Sequence, residues 1–223
     1  MGIFLYLLGK VTFMVIKGII YDFDGTIMST EKLHQQAWVE AGKELGIKVT
    51  SQMILAQKGL PDEDGVLLMV PSASKDFISR FIALKQQKVI GLLEKAQFNP
   101  GFLETWKLLK KQKLSVWVCT SSHQNFMEKV FSVFPIILSL KHKTIWRERY
   151  DHPKPFEDPL KVTLKKMKLL PQECVFVGDA YGDYQTAEAA RVQFVYFCID
   201  FDDGRIPAGI MRIKDHRELM RVL

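Results

Sequence analysis

Short, continuous apolar runs alternate along the chain with longer segments of helical periodicity. The runs that predict strands lie at residues 15–21, 114–119, 174–177 and 194–199, with 135–140 as a fifth candidate. Because they are continuous rather than alternating, they favour strands buried on both faces, as in a parallel sheet.

Helical segments separate these predicted strands. One spans residues 102–111, a second is opened by a capping box at Ser121–Gln124, and a third starts with Asp158 as N-cap before Pro159. Strands that alternate with helices imply right-handed crossovers. The predicted fold is therefore α/β, a Rossmann-like doubly wound parallel sheet.

One long stretch, residues 29–98, interrupts the alternation. It contains no convincing strand, and its helical spacing includes the apolar stripe of Phe77, Phe81 and Leu84. Punctuation by Asn99-Pro100-Gly101 suits a hinge. We predict a core domain of residues 1–28 and 99–223 and an inserted α-helical domain at residues 29–98, with the stripe in its core.

Two carboxylates, Asp22 and Asp24, directly follow the first predicted strand, and Gly25 comes after them. In an open parallel sheet the ligand crevice lies at these strand ends. A plain Asp-Gly turn is the structural alternative.

A second acidic strand end is Gly178-Asp179-Ala180-Tyr181-Gly182-Asp183. Carboxylates packed together raise one another's pKa unless a cation is present. Oxygen ligands without His or Cys suit magnesium, so we predict a Mg²⁺ site at this edge.

Two further candidates are Thr120, at the end of a predicted strand, and Lys154, in a stiff Pro-Lys-Pro segment. Thr120 and the following Ser121 could form an anion site with helix N–H groups, or an ordinary helix cap. A lone lysine is usually exposed, so the role of Lys154 depends on the other motifs.

Together these motifs resemble those of the haloacid dehalogenase superfamily. That superfamily shows Asp-x-Asp-Gly-Thr, then Thr or Ser, then Lys, then Gly-Asp-x-x-x-Asp. The matching residues are, in chain order, Asp22 and Asp24, Thr120, Lys154, and Asp179 and Asp183. The resemblance covers most of the chain outside the insert, which lies where the superfamily carries a helical cap.

The resemblance implies a Mg²⁺-dependent phosphatase acting on a small phosphorylated metabolite. Asp22 would be the nucleophile, forming an aspartyl-phosphate, and Asp24 the acid and base. Thr120 and Lys154 would hold phosphoryl oxygens. The Asp22 carboxylate, the Asp24 carbonyl and Asp179 would hold the metal, with Asp183 acting through a water molecule. Asp24 separates phosphate chemistry from the dehalogenases, which lack an acid at that position.

Residues of the insert resemble the β-phosphoglucomutase-like branch less closely. His34 and Lys58 are candidate substrate-binding residues, although a packed helical His and an exposed Lys are equally ordinary. Where that branch has an Arg for a sugar phosphate, this chain has Pro61 and Asp62, and Asp62 would repel a second phosphate. A phosphatase is therefore preferred over a sugar-phosphate mutase. A non-catalytic binding protein is the other alternative.

Composition narrows the remaining possibilities. The 223 residues carry a formal charge of +6. The basic stretches lack nucleic-acid motifs and are interpreted as solvated faces rather than a nucleic-acid surface. Cys119, Cys174 and Cys198 have no metal-ligand spacing and are predicted to be small buried hydrophobes.

The N-terminal apolar run is too short to span a bilayer and has no signal-peptide pattern. Both Met1 and Met14 remain open as the start. We expect a cytoplasmic monomer or homodimer with no nucleic-acid or membrane partner.

Overall fold

The computed structural model describes residues 6–7, 10–11, 15–57, 60–199 and 202–223. Its strands are β1 (Tyr6–Leu7), β2 (Lys10–Val11), β3 (Gly18–Tyr21), β4 (Ser115–Cys119), β5 (Thr144–Ile145), β6 (Cys174–Gly178), β7 (Gln193–Phe197) and β8 (Met211–Ile213). The first two form an antiparallel pair. The other six form one parallel sheet in the order β5-β4-β3-β6-β7-β8. The predicted α/β doubly wound fold is confirmed.

Both faces of this sheet are covered. Successive residues of β3 alternate between two hydrophobic clusters, with Ile19 and Tyr21 in one and Ile20 in the other. The helices α5 (Phe102–Lys111) and α6 (Gln124–Val133) contribute to the first cluster, and α7 (Asp158–Met167) and α8 (Tyr181–Ala190) contribute to the second. Burial on both faces explains the continuous apolar runs. The three cysteines are free and buried, as predicted.

In the described part of the chain, four α-helices lie between β3 and α5: α1 (Glu31–Glu44), α2 (Ser51–Gln57), α3 (Asp62–Met69) and α4 (Lys75–Leu92). They share a hydrophobic cluster of their own that includes Trp38 and Phe81, against which Phe77 and Leu84 pack. The predicted core of this helical insert is thus confirmed. Its two connections run side by side, because Ser29 N donates to Gln97 O at 2.9 Å. A division into two domains at residues 29 and 98 stays a prediction.

At 18 residues, α4 is the longest helix in the described part of the chain. No helix there is both long and apolar enough to cross a bilayer.

The fifth predicted strand was wrong. Residues Pro135–Lys143 form a 3₁₀ helix, and the strand at the sheet edge is β5, which follows it. The burial pattern gives the reason: Ile137 and Leu140, three residues apart, are buried, whereas Ile136 and Leu138 are half exposed. That spacing matches three residues per turn.

The predicted capping box at Ser121 was also wrong. The α6 helix begins at Gln124, and its first N–H donates to Oε2 of Glu148 at 3.1 Å. A carboxylate from a distant segment thus replaces a local cap. The α7 helix begins at Asp158 itself, with Glu157 in the N-cap position, one residue earlier than predicted.

Candidate active site

The ends of three neighbouring strands build the candidate site. Asp22 follows β3, Thr120 follows β4, and Asp179 follows β6. Strand β3 lies between the other two, so their carboxyl ends meet at one edge of the sheet. These residues line a cavity of about 470 Å³, and residues of the helical insert line it as well.

A buried lysine joins two of the carboxylates. Lys154 Nζ donates to Oδ1 of Asp22 and to Oδ1 of Asp183, each at 2.6 Å. All three side chains are buried. Burial opposes the charge of Lys154, but Asp183 and Asp22 outweigh it and raise its pKa well above the usual value. The lysine is therefore a fixed cation beside Asp22.

Asp22 stands in an environment that disfavours its charge. Burial raises its pKa to about 7, and the charges of Asp183 and Asp24 add to this, whereas Lys154 opposes it. The single positive charge of Lys154 does not balance the two carboxylates, Asp22 and Asp183, that it contacts. A further cation would favour the ionised form that a nucleophile needs.

The donor set fits a hard divalent cation. Carboxylate oxygens of Asp22, Asp179 and Asp183 lie within 4.8 Å of one another. Asp179 is oriented by Thr26, whose Oγ1 donates to it at 3.1 Å. These ligands are all oxygens, the type that Mg²⁺ and Ca²⁺ prefer.

Asp24 is held from three directions. Its Oδ1 accepts from Thr30 Oγ1 at 2.6 Å and lies 3.1 Å from His34 Nε2, and its Oδ2 accepts from Ser122 Oγ at 2.5 Å. Burial alone would raise its pKa, but His34 and these hydrogen bonds lower it to about 2. Asp24 is therefore ionised in the resting protein.

The turn after Asp24 is fixed by contacts from outside the motif. Gly25 has a φ of +78°, a backbone conformation that residues with a side chain rarely adopt. Asn99 Nδ2 donates to the carbonyl oxygens of Gly25 and Thr26 at 2.7 and 2.8 Å. His216 Nε2 lies 2.9 Å from the Thr26 carbonyl and donates to it. Asn99 and the C-terminal segment thus hold the loop that carries both aspartates.

The buried imidazole of His216 predicts a pH dependence of stability. Burial lowers its pKa from 6.5 to about 4. The unfolded chain binds the proton more tightly than the folded chain does. The contribution of neutral His216 to the free energy of unfolding is therefore complete above pH 6.5 and is lost as pH falls toward 4. Between pH 7 and 5 we expect wild type to lose about 2 kcal/mol more unfolding free energy than His216→Phe. Urea unfolding at both pH values measures this, with exposed His142→Gln as control. Equal losses in wild type and His216→Phe would contradict the expectation.

Three predicted substrate-binding residues remain: Ser121, His34 and Lys58. Ser121 lines the cavity but is itself exposed. His34 of α1 lines the cavity, and its Nε2 lies 3.1 Å from Oδ1 of Asp24. Lys58 lies outside the described residues.

Other residues in the cavity escaped the sequence analysis. Ser122 was assigned to a helix cap, although it contacts Asp24. Lys85 of α4 is buried in the cavity wall and bonded to Asp62. A lysine within an ordinary helical pattern gives no signal of burial. Only its place on the apolar face, four residues after Phe81, could have indicated it.

Comparisons with known proteins agree with this architecture. The family model for haloacid dehalogenase-like hydrolases matches residues 19–197. A phosphorylated carbohydrates phosphatase of Thermotoga maritima is 22% identical over 221 residues, covering 93% of this chain and 98% of that protein. A fructose-1-phosphate phosphatase of Escherichia coli is 25% identical over 185 residues, covering 80% and 94%.

Among solved structures, CbbY from Rhodobacter sphaeroides in complex with xylulose-(1,5)bisphosphate superposes with a TM-score of 0.82 at 17% identity. The match covers 92% of this chain and 96% of that one. At this identity the likeness shows the fold. The family match spans most of the chain and all four motifs, and the chain belongs to the haloacid dehalogenase-like hydrolase family.

Proposed function

We propose that the chain is a magnesium-dependent phosphatase that hydrolyses a small-molecule phosphomonoester through an aspartyl-phosphate on Asp22. The observation that carries the proposal is the buried contact of Asp22 with Lys154, 2.6 Å apart, in a cavity that also holds Asp24. It provides a nucleophile, a phosphate-binding cation and an acid–base group around one point.

In the first step an Asp22 carboxylate oxygen attacks phosphorus, and the bond from phosphorus to the ester oxygen breaks. Lys154 and the Thr120 hydroxyl hold phosphoryl oxygens. Thr120 Oγ1 accepts a hydrogen bond from Ser122 N at 3.0 Å, so its own hydrogen is available as a donor. Asp24 transfers a proton to the departing ester oxygen.

Asp24 is ionised in the resting protein and must gain that proton when substrate binds. A phosphate dianion beside it raises its pKa, because like charges disfavour one another. In the second step Asp24, again ionised, takes a proton from water as the water oxygen attacks phosphorus. The bond from phosphorus to Asp22 then breaks, releasing inorganic phosphate and regenerating the carboxylate.

Mg²⁺, when bound, would supply charge neutralisation for the phosphoryl group. Asp22, Asp179 and Asp183 would hold it, with the Asp24 carbonyl as a further oxygen ligand. The names of the relatives, which specify phosphorylated carbohydrates and fructose 1-phosphate, support a phosphorylated sugar or a similar metabolite as substrate.

Phosphate release from a panel of phosphomonoesters, with and without Mg²⁺, tests this function. We expect release that requires the metal and is fastest for one substrate class. If no ester releases phosphate but a sugar phosphate is isomerised in the presence of a bisphosphate activator, the protein is a mutase and the proposal is wrong.

Replacing Asp24 should affect substrates according to their leaving group. For Asp24→Asn we expect kcat/KM for an alkyl phosphate to fall by about 10²- to 10³-fold, since an alkoxide needs a proton to depart. For p-nitrophenyl phosphate the fall should be at least tenfold smaller, because nitrophenolate leaves without one. Exposed Asp64→Asn is the control. An equal fall for both esters would exclude Asp24 as the acid.

A further inference from the structure

Lys85 and Asp62 form an ion pair inside the cavity that the proposed chemistry does not use. Lys85 Nζ lies 2.8 and 3.0 Å from the two oxygens of Asp62. We propose that this pair selects phosphomonoesters whose leaving group is uncharged and hydroxylated, and excludes leaving groups that carry a second anion. The inference rests on the proposed phosphatase function and names its substrate class.

The pair lies on the side of the cavity where a leaving group must go. His34 of α1 contacts Asp24, the group next to the ester oxygen. Trp38 lies one turn further along α1, about 6 Å away along the helix axis. Lys85 Nζ is 5.2 Å from the centre of the Trp38 ring. Lys85 and Asp62 therefore line the cavity beyond the phosphate-binding end, on the surface of the helical insert.

The charges at this position balance. The side chain of Lys85 is 6% exposed and that of Asp62 is 18% exposed. Burial opposes ionisation of Asp62, but Lys85 outweighs it and lowers the pKa of Asp62. Both hydrogen bonds from the ammonium group go to this carboxylate. A second phosphate or a carboxylate on the substrate would thus meet Asp62, with no surplus positive charge from Lys85.

A hydroxyl group suits the same position. A carboxylate accepts about four hydrogen bonds, and an ammonium group donates three. Asp62 can therefore accept from a substrate hydroxyl while Lys85 donates to its oxygen. The side chains of Gln35, Gln57 and Gln86 also line the cavity and are uncharged donors and acceptors. This set complements a polyol or sugar rather than an anion.

Two substrate pairs, in each of which a hydroxyl or hydroxymethyl group is replaced by an anionic group, test the inference. The first is 2-hydroxyethyl phosphate against phosphoglycolate, and the second is fructose 1-phosphate against fructose 1,6-bisphosphate. For wild type we expect kcat/KM to favour the hydroxyl member of each pair by about tenfold or more, since like charges in contact are strongly unfavourable.

The variants separate charge from shape. Asp62→Asn leaves Lys85 as a net positive charge, so the preference should shift at least tenfold toward the anionic member. Asp62→Asn combined with Lys85→Met keeps the site neutral and covers the case in which the single variant does not fold. The double variant should lose the hydroxyl preference without gaining affinity for the anion. Glu44→Gln is the matched control, because Glu44 pairs with Lys88 of α4 at 2.8 Å on the exposed side of that helix.

Phenyl phosphate, which has neither hydroxyl nor second anion, distinguishes this inference from the function beneath it. If wild type does not hydrolyse any ester, phenyl phosphate included, the proposed phosphatase function and the selectivity inference are both wrong. If phenyl phosphate is hydrolysed at similar rates throughout but the substrate ratios of both Asp62 variants equal that of Glu44→Gln, the selectivity inference alone is wrong. A wild-type preference for the anionic members would also overturn it.

Discussion

Asp22→Asn is expected to lower kcat for phosphate release by about 10⁴-fold or more, because the amide cannot act as the nucleophile. Asparagine preserves the shape of the side chain and its contact with Lys154, so the loss should come without collapse of the site. The fall in kcat is measured as the rate of phosphate release from phenyl phosphate at saturating Mg²⁺. Binding of inorganic phosphate, followed by calorimetry, should persist in the variant.

The matched control is Asp151→Asn, an exposed aspartate whose neutralisation changes the total charge equally. It should retain wild-type activity within about twofold, as surface substitutions usually do. If Asp22→Asn kept more than a tenth of wild-type activity while its phosphate binding was unchanged, Asp22 would not be the nucleophile.

Metal removal should have the second-largest effect. After treatment with EDTA we expect activity to fall by about 10³-fold or more, since metal neutralisation of phosphoryl charge is worth several kcal/mol. The physical reason lies in the charge of the site: carboxylate oxygens of Asp22, Asp179 and Asp183 lie within 4.8 Å of one another, and Lys154 pairs with Asp22 and Asp183. Added Mg²⁺ should restore activity.

Replacing one of the proposed metal ligands tests where the metal binds. Asp179→Asn should raise the Mg²⁺ concentration for half-maximal activity by about tenfold or more, whereas exposed Asp76→Asn should leave it unchanged. Full activity of wild type in EDTA, or equal Mg²⁺ dependence of the two variants, would contradict the metal site.

The sheet was predictable because burial and strand geometry leave a direct pattern. Strands β3, β6 and β7 are buried on both faces and β4 is mostly buried, so all four are predicted from continuous apolar runs. By contrast, β8 is three residues long and only partly buried, so it leaves no pattern. The 3₁₀ helix Pro135–Lys143 was mistaken for a strand, because its buried and its exposed apolar residues together form a continuous apolar run.

The candidate site divides in the same way. Its motif residues follow strand ends, and the parallel sheet brings Asp22, Thr120 and Asp179 together regardless of their separation in sequence. Contacts between helices of the insert could not be predicted in this way. The pairing of Lys85 with Asp62 depends on how α3 and α4 pack, which local periodicity does not specify. The same holds for His216, which reaches Thr26 from 190 residues away.

The claim central to this account is that Asp22 carries the phosphoryl group between the two steps. Rapid acid quench of a single turnover, with enzyme in excess over ³²P-labelled phenyl phosphate, tests it most directly. The account predicts a hydroxylamine-sensitive label on the peptide that contains Asp22, forming as phenol is released and decaying as phosphate appears. A label on another peptide, or phenol and phosphate released together with no protein-bound label at any time, would contradict it.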